Sequence, residues 1–396
     1  MATLDPFVPD FPLQDGIRAA LAARSRAAFR ASAFYRAYGP DLDRWLRAIH
    51  TGAPERPPAA PLRPDSIRIA HWNIQQGKAW NAVASTFERE PRLREADLIT
   101  LNEVDIGMAR ALNLNVAGEL AERLGLHWAF AASYLELTKG PGPDRQAPGE
   151  NRIGLHGLGI LSRWPFEETG AGDLIECFDY FHFPEEKRYG RRRALWARIR
   201  HPRGPFVLAT THLEVRNTPD CRARQMERAL RAIPPGPAWF TGDWNTNTFR
   251  RRTLVQQAGE FLRLQRTPPD ALDRELITPW TREPLLGLVE GAGFRFHEWN
   301  DSAPTARQVL SGVEELDRLP APIARAMRSR FHLDGRVLRM RLDWISARGP
   351  WTPSSTTGDS VWTLTSAGPD GDSASDHAPI GGEAAWTLGV TPPSGV

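Results

Sequence analysis

The segment Ala238–Thr248, AWFTGDWNTNT, runs from an apolar strand into a polar loop and carries an acid, Asp243, and an amide, Asn245, two residues apart. Its first half has strand propensity, and Gly242 with the Asn and Thr residues has turn chemistry. Taken alone, a strand-ending Asx-turn accounts for it. Neighbours on a strand face opposite sides and residues two apart share a side. Trp244 is therefore expected in the core, with Asp243 and Asn245 on one common face if the strand stays extended. The rest of the chain decides whether a turn is the whole account.

The same pairing of a tryptophan with a polar residue recurs, with Trp72 before Asn73 and Trp344 after Asp343. Each sits in a short apolar run, IRIAHWNI (67–74) and RMRLDWISA (339–347), and further runs are DLITLNEV (97–104), HWAFAAS (127–133), GLGILSR (157–163), ALWARIR (194–200), FVLATTHL (206–213), SVWTLTS (360–366) and EAAWTL (383–388). Helical patterns at 115–124 and 220–233 separate some of them. Interleaving of this kind predicts an α/β fold with strands and helices in alternation. Residues 14–50 read as helical, with Ile17, Leu21, Phe29 and Tyr35 among arginines, and ERPPAAPLRP (55–64) reads as a tether. Two units are expected: a helical arm with its Pro-rich linker over 1–65, and a catalytic domain over 66–396. The irregular stretches 138–156 and 300–335 are too long for simple connectors and are expected to rim a cleft.

Fifty Lys and Arg against 47 Asp and Glu leave a net charge of only +3, too little to argue for a nucleic-acid partner by itself. Only Lys78, Lys139 and Lys187 are lysines, so the basic side is almost all arginine. The run Lys187–Arg193, KRYGRRR, suits a solvated loop at least as well as a polyanion surface. Arg222, Arg224 and Gln225 read as helix residues packed on the sheet. Cys177 and Cys221 have no CxxC spacing and are expected as packed thiols rather than a disulfide. No apolar run approaches the roughly 20 residues needed to span a bilayer, and the N-terminus lacks a secretory pattern. A cytoplasmic monomer without integral membrane association is the expectation; no protein partner is inferable.

GxxxxGK[ST], HExxH and GxSxG are all absent, which removes the nucleotide-loop, zincin and serine-hydrolase readings. What remains is a set of polar residues at strand ends: Asn73, Glu103, His212, Asp243, Asn245, Asp343, Asp376 and His377. Carboxylates with an amide and no thiolate make a hard oxygen site, suited to Mg²⁺ or Mn²⁺. Two histidines, with Asp343 free to orient one, add acid–base groups near neutral pH. Metal, His and Asp together point to phosphoester hydrolysis by an in-line water. His71 shares a strand face with Asn73 and reads equally well as a structural histidine.

HWNIQQG, LNEVD, ILSRWP, RRRALWARI, THLEV, GDWN, LDWIS and SDHAPI occur in an order that resembles the endonuclease/exonuclease/phosphatase superfamily, over roughly residues 66–388. The resemblance implies a DNase I-like four-layer αββα sandwich with the helical arm as an N-terminal extension. It implies a divalent-metal-dependent hydrolase, first a nuclease-like phosphodiesterase, with phosphomonoesters, inositol phosphates and phospholipids as alternative substrates and nucleic acid among the candidate partners. A non-catalytic binding protein on the same fold is the alternative from another class. It further implies Glu103 and Asp376 as metal ligands, with Asn73 a ligand or support. By the same resemblance His212 donates to the phosphate, Asp243 activates water, Asn245 holds the phosphate or Asp243, and Asp343 orients His377, a base or phosphate clamp. Three features depart from the pattern. Gly159 lacks the amide of relatives, and no glutamate is placed beside His212. The phosphate-contacting tyrosine has no clear match, with Tyr134, Glu136 and Asn151 as nearby candidates.

Overall fold

The computed structural model describes residues 3–55, 65–309, 337–354, 359–368 and 374–387. Strands are numbered in chain order: β1 (Ile49–Gly52), β2 (Ser66–Gln76), β3 (Leu98–Ile106), β4 (His127–Glu136), β5 (Leu155–Ser162), β6 (Phe166–Asp173), β7 (Arg188–Gly190), β8 (Arg193–Ile199), β9 (Phe206–His212), β10 (Ala238–Asp243), β11 (Ala306–Val309), β12 (Val337–Met340), β13 (Asp343–Arg348), β14 (Trp351–Pro353), β15 (Val361–Thr363) and β16 (Ile380–Trp386). They form a nine-stranded sheet ordered β1-β4-β5-β3-β2-β16-β14, with β15 on β16 and β7 on β4, a five-stranded sheet ordered β13-β10-β9-β8-β6, and a small antiparallel pair β11-β12. β2–β3 and β9–β10 pair in parallel. Each needs a crossover helix, and Trp80–Arg89 and Pro219–Ala232 supply them.

Alternation along the strands sorts side chains into layers. Ile67, Ile69, Leu158, Ile160, Leu195, Leu208, Trp239 and Ile345 fill the space between the two sheets. Trp72, Val83, Phe87, Val116 and Leu120 pack the outer face of the larger sheet under its helices. Phe240, Trp244, Trp344, Met226 and Leu285 do the same for the smaller sheet. Two packed sheets with helices outside make the four-layer αββα sandwich. Trp72, Trp244 and Trp344 lie in the outer cores as their spacing requires, and their polar neighbours Asn73, Asp243 and Asp343 face inward, where the sheets part. Gly242 is needed at the join: its φ is +151°, and a Cβ there would lie 2.0 Å from the Thr211 carbonyl oxygen of β9.

The N-terminal segment forms helices Leu13–Ala22, Arg26–Arg30 and Ala33–Arg47, and then adds β1 to the edge of the larger sheet beside β4. Phe7, Phe29 and Leu42 are buried in the same cluster as Trp72 and Phe130.

Two expectations are corrected. Cys177 and Cys221 are joined in a disulfide, with Cα atoms 6.2 Å apart. The loop after β6 crosses the first turn of helix Pro219–Ala232, and local spacing carries no trace of a contact 44 residues long. The run Lys187–Arg193 is no solvated loop, since Lys187, Arg188, Arg192 and Arg193 are all buried. Arg193 donates to the carbonyls of Leu46, Arg47 and Ala132, tying the N-terminal segment down. Of the two expected cleft rims, residues 310–335 lie outside the described residues. Among those described, no helix is long and apolar enough to cross a membrane.

Candidate active site

Asp243 ends β10, paired with Asp343 of β13 on one side and His212 of β9 on the other. Its backbone N–H donates to Asn102 Oδ1 at 2.7 Å, and Asn102 Nδ2 donates to Thr210 Oγ1 at 3.1 Å. One asparagine of the larger sheet thus locks the tip of the smaller one. The Asp243 carboxylate accepts from Asn73 Nδ2 at 3.1 Å and from the Asn245 N–H at 3.0 Å. That second bond is an Asx-turn, so the turn reading of the segment holds alongside the functional one. The strand does not stay extended through Asn245, as the shared-face argument requires, because Asn245 has φ +52°. Its side chain instead donates to the Leu213 carbonyl at 2.8 Å and still lines the cleft.

Two histidines flank Asp243. His212 Nε2 is 3.3 Å and His377 Nε2 3.8 Å from Asp243 Oδ2. His377 Nδ1 lies 2.7 Å from Asp343 Oδ2, and the other Asp343 oxygen lies 3.3 Å from His71 Nε2. His71 is anchored in turn by Thr100 at 2.9 Å, and the i, i+2 spacing from Asn73 was its only sequence signal. Burial works against the charge on His377, but Asp343 and Asp243 outweigh it and raise its pKa. Burial likewise opposes ionisation of Asp343, yet His377 holds its carboxyl below the usual range. Asp243 moves the other way, raised by burial and by the Asp343 charge. Burial, with Arg192, His156 and His377 nearby, keeps His212 neutral.

Glu103 reaches the same cleft through distorted backbone. The β2–β3 and β3–β5 ladders both shift register beside it, and Gln75, Gln76 and Glu103 have φ of +47°, +62° and +53°. Bulges of this kind re-aim side chains at functional sites, and the strain of each such residue is of order 1–3 kcal/mol. Gln76 Nε2 donates to Glu103. Asp376 is exposed at the cleft edge, with Ser375 Oγ 3.4 Å away.

Glu103, His212, Asp243, Asn245, Asp376 and His377 all line one cleft of about 280 Å³. Asn73 and Asp343 lie just behind it. Asn73 is turned to Asp243, and its Oδ1 accepts from the Gln75 N–H, which makes it a support rather than a free ligand. The carboxylate beside His212 is Asp243. Tyr134, Glu136 and Asn151 do not line the cleft: Arg188 lies over the Tyr134 ring, Glu136 pairs with Arg110 and Arg188, and Asn151 binds backbone. Tyr180 does line it, donating to Glu214 at 3.0 Å. Arg192, unremarked in its arginine run, is buried beside the site and donates to the His212 carbonyl at 3.2 Å.

Asp243, Asp343 and His377 form a buried group whose donor atoms lie within 4.8 Å and could hold a metal ion. The 2.7 Å bond between His377 and Asp343 already commits two of these to each other. Glu103 and Asp376 are carboxylates on the cleft whose hydrogen-bond partners among the described residues are Gln76 and Ser375, so the oxygen donors present fit a hard divalent cation.

The sequence model of the Endonuclease/Exonuclease/phosphatase family matches residues 70–377. No curated protein matches the chain. Among solved structures, an endonuclease/exonuclease/phosphatase from Beutenbergia cavernae DSM 12333 is 17% identical, covering 82% of this chain and 72% of that one with a TM-score of 0.47. The human Nocturnin catalytic domain with bound sulfate is 15% identical, covering 87% and 98%, TM-score 0.45. D. rerio TDP2 complexed with single strand DNA product is 17% identical, covering 81% and 98%, TM-score 0.41.

Proposed function

The chain belongs to the endonuclease/exonuclease/phosphatase family, and from that premise we propose that it is a divalent-metal-dependent phosphoester hydrolase, in the first instance a phosphodiesterase. The observation that carries this reading is the meeting of Glu103, His212, Asp243 and the adjacent pair Asp376–His377, from four chain segments, in one cleft.

In this reading Asp243 accepts the proton of the attacking water, a role supported by the hydrogen bonds of Asn73, Asn102 and the Asn245 N–H that hold its orientation. His377, its Nδ1 held by Asp343, turns Nε2 toward the reacting phosphoryl group. His212 offers a second contact to the phosphoryl oxygens. Glu103 and Asp376 would hold Mg²⁺ or Mn²⁺, which supplies Lewis-acid charge for the phosphoryl oxygens when bound. Arg188, Arg192, Arg216, Arg251 and Arg307 line the same cleft, which suits a polyanionic ester. Tyr180 is its one Phe, Tyr or Trp side chain among the described residues, so recognition by charge is better supported than by a run of stacked bases. The Cys177–Cys221 bond favours oxidising surroundings over the reducing cytoplasm.

A panel of metal-supplemented esters tests this: single- and double-stranded DNA, RNA, sphingomyelin, inositol phosphates and bis-p-nitrophenyl phosphate. At least one should be cleaved, and His377→Ala and His212→Ala should each lose roughly 10²-fold or more. Full activity in both variants, or none in the wild type on any ester, contradicts the reading.

A further inference from the structure

The chemistry above leaves one buried imidazole of the cleft unused. His156 of β5 lines it together with His212 and Asp243, and β3–β5 register sets His156 opposite Asp105. Its Nδ1 is 2.9 Å from Asp105 Oδ1. A carboxylate only accepts, so Nδ1 carries the hydrogen and Nε2 is left for another partner.

The carboxylate behind it is held with unusual firmness. Asp105 is buried, and Arg110 Nε and Nη2 donate to its two oxygens at 2.7 and 3.2 Å. Arg110 goes on to Glu136 at 3.4 Å, and Glu136 to Arg188 at 2.8 Å. Replacing a buried array of ion pairs by apolar side chains of similar volume is often neutral or stabilising. Stability alone therefore gives little reason for the array, whereas an imidazole that must keep one orientation beside a cleft does. Around His156 stand Asp105 on β3, Glu186 ahead of β7, and His212 on β9, with Arg110 and Arg188 behind the acids.

We propose that His156 is a further catalytic residue, the acid that protonates the leaving oxygen, with Asp105 as its positioning residue; this rests on the phosphoester-hydrolase reading. In-line displacement puts the leaving oxygen across phosphorus from the attacking water. Asp243 and His377 serve the water and phosphoryl oxygens, and His156 makes no hydrogen bond to either. As the water oxygen bonds to phosphorus, the bond from phosphorus to the leaving oxygen breaks and its electron pair stays on that oxygen. The proton on His156 Nε2 passes to it, leaving the ring neutral with its remaining hydrogen on Nδ1. The water's proton goes to Asp243, and exchange with solvent restores both groups.

The test is a series of aryl methyl phosphates, from p-nitrophenyl to unsubstituted phenyl, cleaved by Mg²⁺- or Mn²⁺-loaded wild type, His156→Gln, Asp105→Asn and Asp243→Ala. A nitrophenolate departs with little help and a phenolate needs a proton. His156→Gln should lose roughly tenfold on the first ester and about 10³-fold on the last, with the alkaline limb of its pH–rate profile flattened. Asp105→Asn should show the same dependence in weaker form, and Asp243→Ala a uniform loss. Equal loss along the series in His156→Gln, or none, overturns this proposal while leaving the hydrolase reading intact. A wild type inactive on every ester overturns both.

Discussion

His377 Nδ1 lies 2.7 Å from Asp343 Oδ2, while Asp343 Oδ1 faces His71, so one buried carboxylate is set between two imidazoles. Asp343 fixes which nitrogen of His377 carries a hydrogen toward it and which faces the cleft. Asp343→Asn keeps the shape but removes the charge. We expect kcat to fall roughly 10²- to 10⁴-fold with KM little changed, read by steady-state kinetics on a cleaved ester. A loss confined to KM would show that Asp343 acts on binding instead.

Asn102 links the sheets at their open end, accepting from the Asp243 N–H and donating to Thr210. Asn102→Ala strands both partners in a buried site, and each unsatisfied group costs about 1–3 kcal/mol. Urea unfolding should show that loss, and activity should fall with it because Asp243 is no longer pinned. Unchanged stability would mean that water takes over both bonds.

Cys177 and Cys221 close a loop across a sequence separation of 44 residues, which the chain-entropy relation values at about 4 kcal/mol, an upper figure for real disulfides. A lower melting temperature is expected for the Cys177→Ser, Cys221→Ser double variant and for the reduced wild type. Equal melting temperatures with and without reductant would contradict this.

His201 packs between Trp164 and Trp386, and burial, with Arg203 nearby, lowers its pKa to about 4. The unfolded chain, with the ordinary value near 6.5, binds more protons than the folded one between these limits. The contribution to stability is therefore full above about pH 6.5 and declines as pH falls toward 4. His50 and His127, also lowered by burial, act in the same sense. Melting temperature should drop over this window, and less steeply in His201→Gln. An identical slope in the variant would remove His201 from the account.

The sandwich and the inward face of the polar residues beside three tryptophans were legible because they rest on local pattern. Trp72–Asn73, Asp243–Trp244 and Asp343–Trp344 each place one side chain in an outer core and its neighbour between the sheets, as period-two alternation demands. Asx-turn chemistry at Asp243 was equally readable. Apart from the left-handed turn at Asn245, the misses are non-local. His71 and His156 acquire their carboxylates from other strands, and Arg188 and Arg192 are buried only because carboxylates from three separate segments meet them. The Cys177–Cys221 pair is the same case in covalent form. An arginine-rich chain hides its buried arginines among the exposed ones.

The central claim is that Asp243 works with a divalent metal at a phosphoester. The most direct measurement is the rate of bis-p-nitrophenyl phosphate hydrolysis by chelator-treated protein before and after addition of Mg²⁺ or Mn²⁺, for wild type and Asp243→Ala. Wild type should be silent until metal is added, and Asp243→Ala should stay roughly 10³-fold slower at every metal concentration. Hydrolysis that persists without metal, or a variant as fast as wild type, would contradict it.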